Sequence, residues 1–164
     1  MKKKGLVLAV LLSLGTLPVF AQYALGIQGG ICPSFNAQDF VCEAGVTSCI
    51  DITAQTFVPS LTAGITQTGV QYLTVSLDYW LTNQRIAQSL FRWYAGAGSC
   101  LSVSLRNNPG LCTVGLRAVI GTEFFPVTQM GIFLQAIAQP QLTFGSELRF
   151  SFCIPVEAGV RFWF

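Results

Sequence analysis

From Gln22 onward the chain is as apolar as a membrane protein, yet nowhere does it hold the ~18 to 20 uninterrupted apolar residues of a spanning helix. Gly, Gln, Thr, Ser or a charge breaks every run. At 52% hydrophobic and 10% charged, the sequence falls far below the ~25% charge of an ordinary soluble domain. Surface this apolar must meet lipid or aggregate. With helices set aside, a closed antiparallel β-barrel is the remaining way to satisfy every backbone N–H and C=O in lipid.

Such a barrel requires a period of two, one face apolar and the other polar or small. Leu142 to Phe152 has it most clearly, with Leu142, Phe144, Leu148, Phe150 and Phe152 opposite Thr143, Gly145, Glu147, Arg149 and Ser151. In Gln71 to Leu81, the set Leu73, Val75, Leu77, Tyr79 and Leu81 opposes Tyr72, Thr74, Ser76, Asp78 and Trp80. Leu90 to Val103 sets Phe91, Trp93, Ala95, Ala97 and Leu101 against Arg92, Tyr94, Gly96, Gly98 and Ser102. Val114, Leu116, Ala118 and Ile120 oppose Gly115, Arg117, Gly121 and Glu123. Met130 to Ala138 alternates too, although Phe133 and Ile137 blur its polar face.

Tyr23 to Ile31, Phe57 to Thr66 (interrupted by Pro59) and Val156 to Phe164 bring the count to eight. Eight is the smallest strand number of outer-membrane barrels, and the segments are near the ~9 to 11 residues a tilted strand needs. The expected fold is an all-β, eight-stranded up-and-down meander. Breaks are expected at Gln67 to Gly69, Thr82 to Ser89, Arg106 to Gly110, Phe125 to Thr128 and Gln139 to Gln141. Cys32 to Gln55 is read as the single long loop, lying outside the cell.

The start of the chain reads as a secretory signal. Lys2, Lys3 and Lys4 precede an apolar stretch from Gly5 to Leu14, and Val19 and Ala21 supply the small-residue pair before a cut at Gln22. Residues 1–21 are thus expected to be removed, and residues 22–164 to form one barrel domain. The first cysteine is Cys32, not the residue after the cut, so no lipid anchor is expected. All three lysines leave with the signal, and the remainder carries six arginines against seven acids. That balance gives no basic track for a nucleic acid.

Inward faces are expected to carry Asp78, Glu123, Glu147 and Glu157 against Arg92, Arg117, Arg149 and Arg161. Equal numbers predict an ion-paired filling, since buried charges persist when paired and an eight-stranded interior is filled by side chains or one small ligand. All six cysteines pass through an oxidising envelope, so disulfides are expected. Cys100 and Cys112 flank the Asn-Asn-Pro-Gly turn and form the first expected pair, at the periplasmic side. Cys32, Cys42, Cys49 and Cys153 are expected on the outer side, where two bridges among them tie the long loop down. Four cysteines allow three connectivities. Without histidine or Cys-x-x-Cys, no metal site, no cofactor and no nucleophile-base pair is nominated.

The final residues Ala158-Gly159-Val160-Arg161-Phe162-Trp163-Phe164 resemble the β-signal read by the outer-membrane assembly machinery, through Gly159, Phe162 and Phe164. Ala158 departs from the polar residue usual there. Val75-Ser-Leu-Asp-Tyr-Trp-Leu81, Phe91-Arg-Trp-Tyr-Ala-Gly-Ala-Gly98, Gly115-Leu-Arg-Ala-Val-Ile-Gly121 with Glu123-Phe-Phe125, and the last six residues are together similar to the small eight-stranded outer-membrane barrels of spirochaetes. The resemblance covers roughly residues 70 to 164. It implies the fold, the cell outer membrane as compartment and lipid as partner, and it supplies no catalytic residues.

Three roles fit these observations. The first is a structural or surface-interaction barrel whose Cys32 to Gln55 loop meets an envelope or host ligand. The second is a narrow channel for small or apolar solutes, along Gly96, Gly98, Gly115 and Gly121. The third is a soluble periplasmic lipid-binding barrel, since period-two strands build soluble folds too.

Overall fold

The computed structural model describes residues 21–33, 40–52, 55–66, 69–86, 90–105, 111–145 and 147–164. The expected signal segment, apart from Ala21, and the Asn-Asn-Pro-Gly turn lie outside them. Nine strand segments form one antiparallel sheet: β1 (Ala21–Pro33), β2 (Phe40–Ile52), β3 (Gln55–Thr66), β4 (Gly69–Arg85), β5 (Phe91–Ser104), β6 (Cys112–Val127), β7 (Met130–Phe144), β8 (Arg149–Cys153) and β9 (Val156–Trp163). Each strand from β1 to β7 pairs with the next, and β9 pairs with both β7 and β1, which closes the barrel. β8 continues β9 along the same edge of β7. Nine segments therefore make eight staves, joined as a meander.

The prolines explain how this ladder is divided. Pro59 lies inside β3, where the β2–β3 pairing skips from Thr47 opposite Ser60 to Ile50 opposite Phe57. Pro140 lies inside β7, where the β6–β7 pairing skips from Gly115 opposite Gln141 to Ala118 opposite Ala138. A residue without an N–H is tolerated where the ladder already has a gap. Pro155 falls in the Ile154–Pro155 break that separates β8 from β9, and its carbonyl accepts from the Ile137 N–H at 3.0 Å. Gly69, at φ 110°, opens β4 in a backbone conformation that a side chain would oppose.

The eight staves are not the eight segments read from the sequence. The expected long loop from Cys32 to Gln55 is mostly strand, because β2 occupies Phe40–Ile52 and pairs along all of β1. Leu142 to Phe152, expected as one strand, belongs to a hairpin that reverses between Phe144 and Arg149, with Leu142 opposite Phe150 and Thr143 opposite Arg149. The expected breaks near Thr82, Pro126 and Pro140 lie within or at the ends of β4, β6 and β7, with register shifts after Trp80 and after Phe124. The added strand early in the chain reverses the direction expected of β3 to β7, and the reversal after Phe144 restores it for β9. The Ser104 end of β5 and the Cys112 end of β6 therefore lie at the same end as Pro33, Phe40 and Phe144, which is here called the upper end.

Candidate functional site

The barrel's polarity is inverted relative to a soluble protein. Outward positions are aliphatic and aromatic, such as Ile27 at 67% exposure, Val75 at 57%, Leu116 at 67% and Ile120 at 61%. Inward positions include Asp78, Arg117, Glu123, Glu157 and Arg161, none above 5%. A wall of this kind is stable against lipid, with its backbone paired along the ladders and its charged side chains turned inside. The interior is consequently where chemistry or transport would have to occur.

In the lower half, Glu123 is the centre of a cationic and aromatic cluster. Its carboxylate forms an ion pair with Arg92, accepts from the Trp163 indole N–H at 3.1 Å and lies 3.9 Å from Arg161 Nη1. The guanidinium of Arg161 rests 3.8 Å from the centre of the Phe133 ring, while that of Arg92 sits 4.4 Å from the Trp163 ring. Trp80 and Tyr94 stack at 3.9 Å. Beside them pack Ala24, Cys49, Val58, Val119 and Ile137, an apolar plug across the bore.

Above the plug runs a connected polar network. The Tyr94 hydroxyl donates to Gln135 at 2.9 Å, and the Gln135 amide donates to Glu157 at 2.6 Å. Glu157 lies 3.7 Å from Arg117, whose Nε donates to Asp78 at 2.9 Å and whose Nη1 donates to Gln139 at 3.3 Å. Gln139 in turn donates to the Cys100 sulfur at 3.2 Å. Higher still, Tyr72 donates to Glu43 at 2.7 Å, and hydroxyl pairs Ser60–Ser76 and Thr74–Ser102 close at 2.6 Å each. The recess between Gln28, Gly30, Glu43, Thr62 and Glu157 has no room for a water molecule.

Six of the eight expected interior charges are inside: Asp78, Arg92, Arg117, Glu123, Glu157 and Arg161. Glu147 and Arg149 are not. They flank the β7–β8 turn with side chains 75% and 78% exposed, 3.7 Å apart. Glu43, which the loop assignment had hidden, takes an interior place on β2. The expected glycine path is covered: a Cβ at Gly121 would meet the Tyr94 ring at 2.5 Å, and one at Gly115 would meet the Cys100 sulfur at 2.8 Å. These glycines admit large inward side chains rather than solute.

All six cysteines are free. Cys100 points inward opposite Gly115, whereas Cys112 lies on the outward face opposite Val103, so the expected pair is divided by the wall. Both lie toward the upper end rather than at the periplasmic base expected for them. Cys42 is exposed on the outer face, and Cys49 is buried in the lower plug, so neither ties down a loop. Cys32, half-buried, and Cys153, buried, lie toward the upper end, where the Cys153 thiol donates to the Gln139 carbonyl at 3.8 Å.

At the closing strand, Gly159 packs inward against Phe133, Phe162 faces out at 49% exposure, and Phe164 N–H donates to the Tyr23 carbonyl at 2.8 Å. No family model matches the chain, and no curated protein matches it. Among solved structures it is similar to Neisserial surface protein A (NspA), at TM-score 0.63 and 14% identity, over 87% of this chain and 96% of that one. It is also similar to a structure from the de novo design of transmembrane β-barrels, at TM-score 0.53 and 8% identity, over 87% and 95%. The architecture is that of a small eight-stranded outer-membrane β-barrel.

Proposed function

We propose that the protein is a sealed integral barrel of the outer membrane, structural and surface-presenting in role, rather than a channel. The filling of the bore carries this reading. The Trp80–Tyr94 stack, the Arg161–Phe133 contact and the Asp78–Arg117–Glu157 network occupy successive levels of the interior. Opening a path through them means separating buried ion pairs, at about 3 to 5 kcal/mol for each charge left alone. The spirochaete resemblance agrees with this role and adds no ligand to it.

Lipid is the partner of the outer wall. The C-terminal strand, through Gly159, Phe162 and Phe164, is the segment offered to the assembly machinery. Any envelope or host ligand would meet the upper end of the barrel, beyond Pro33, Phe40, Ser104, Cys112 and Phe144. Planar bilayers test the sealed bore. Purified protein is expected to give no stepwise conductance. Discrete steps from folded protein that disappear in Arg117→Ala or Glu123→Ala would establish the channel instead.

A further inference from the structure

Two rows of inward positions cross the bore side by side where the first and last staves close. In one, Gly30 on β1 stands between Glu43 on β2 and Glu157 on β9. In the other, Gly45 on β2 stands between Gln28 on β1 and Thr62 on β3. A Cβ at Gly30 would meet the Glu157 Cγ at 3.0 Å, and one at Gly45 would meet the Thr62 Cγ2 at 2.8 Å, so each side chain leans across its glycine. Glu43, Glu157, Gln28 and Thr62 together line one recess.

The barrel's own packing leaves this recess unbalanced in two respects. The Gln28 amide and the Thr62 hydroxyl belong to residues at 6% exposure, and neither has a hydrogen-bond partner among the described residues. Buried polar groups are nearly always paired, and unpaired ones facing a shared recess point to a bound species. The charges do not cancel either. Glu43 accepts from the neutral Tyr72 hydroxyl at 2.7 Å, while Glu157 lies 3.7 Å from an Arg117 that already donates to Asp78 at 2.9 Å. Three carboxylates against one guanidinium leave two negative charges over in this part of the bore, among the described residues. Buried charges persist when they are paired or coordinate a metal.

We infer that the recess between Glu43 and Glu157 binds a calcium ion. A doubly charged cation matches the excess. The donors are all oxygens, as hard cations prefer: two carboxylates, completed by the neutral Gln28 amide oxygen and Thr62 hydroxyl. No group of three acidic, cysteine or histidine side chains suited to a metal occurs among the described residues, so the neutral oxygens are needed. Tyr72 and Gln135 donate to the two carboxylates from behind and hold them in place. The recess has no room for a water molecule. Oxygens close on calcium at ~2.3 to 2.6 Å, tighter than the ~2.7 to 2.8 Å of hydrogen-bonded water, whereas magnesium keeps several waters of its own. The ion would tie β9, β1, β2 and β3 together across the closure of the barrel.

Protein refolded into phosphatidylcholine vesicles, stripped with EDTA and brought to equilibrium with radioactive calcium by dialysis, tests the site. Bound calcium approaching one ion per barrel is expected, undisturbed by an excess of magnesium. Glu43→Gln keeps an oxygen for Tyr72 and should weaken binding about tenfold or more, while Glu147→Ala, at the exposed turn, should leave it unchanged. Unboiled gels confirm that each variant is folded. Calcium should also raise the urea midpoint of the wild type and leave that of Glu43→Gln unmoved, since a ligand of the folded state alone must stabilise it. Absence of calcium from the folded wild type would overturn the inference and leave Glu43 neutralised by its own proton. Displacement by magnesium, a loss of binding in Glu147→Ala, equal binding in Glu43→Gln and the wild type, or a wild-type midpoint indifferent to calcium would overturn it as well.

Discussion

Replacing Glu123 by Gln removes one negative charge from a place with 0% exposure, while keeping the volume and an oxygen for the Trp163 N–H. Two cations depend on that charge: Arg92, paired with it directly, and Arg161, 3.9 Å away. Removing one partner of a buried pair costs about 3 to 5 kcal/mol, and retention of the Trp163 hydrogen bond places this change near the lower end, at about 3 kcal/mol. With a urea slope of about 2 kcal/mol per molar, the unfolding midpoint in lipid vesicles should fall by about 1.5 M. Tryptophan fluorescence reports the transition. Adding Arg161→Met to Glu123→Gln should recover part of the loss, since it removes one stranded cation and leaves an apolar chain on Phe133. A single-variant loss under about 1 kcal/mol, with no gain in the double variant, would mean that water screens these charges and that the interior is not sealed as argued.

On the outer wall, Leu116→Arg sets a cation at a 67% exposed position facing lipid and should cost about 2 to 4 kcal/mol if it lies near mid-membrane, measured by the same urea titration. Glu147→Ala, at the exposed β7–β8 turn, should shift stability by less than about 1 kcal/mol; a loss as large as that of Glu123→Gln would return Glu147 to the interior. Phe162→Ala, on the outward face of the closing strand, should lower the yield of folded barrel in the outer membrane while leaving folded molecules as resistant to urea as the wild type. An unchanged yield would remove Phe162 from the assembly signal.

The strands with bulky outward residues were legible in the sequence. β4, β5, β6 and the first part of β7 carry the faces expected of them, and Phe133 and Ile137, which blurred the pattern, are buried inward as part of the filling. β2 was hidden because its outward face is Cys42, Ala44, Val46, Ser48 and Ile50, a face with small and polar members that alternates weakly with Glu43, Gly45, Thr47 and Cys49. Counting Cys42 and Ala44 as apolar would have exposed both the strand and Glu43. Leu142 to Phe152 misled for a different reason. In the hairpin, partners such as Leu142 and Phe150 share parity, so the two-residue period continues through the turn unbroken, and Gly145 was the signal of reversal. The Ile154–Pro155 break and the closure between the first and last staves are likewise not encoded by local patterning.

Membrane residence of the sealed barrel is tested most directly by fractionation after expression of the whole chain with its own N-terminal segment. The protein should sediment with the outer membrane and remain there through washes with alkaline carbonate and urea, as its lipid-facing wall requires. Recovery of folded protein in the soluble periplasmic fraction would contradict the account at its centre.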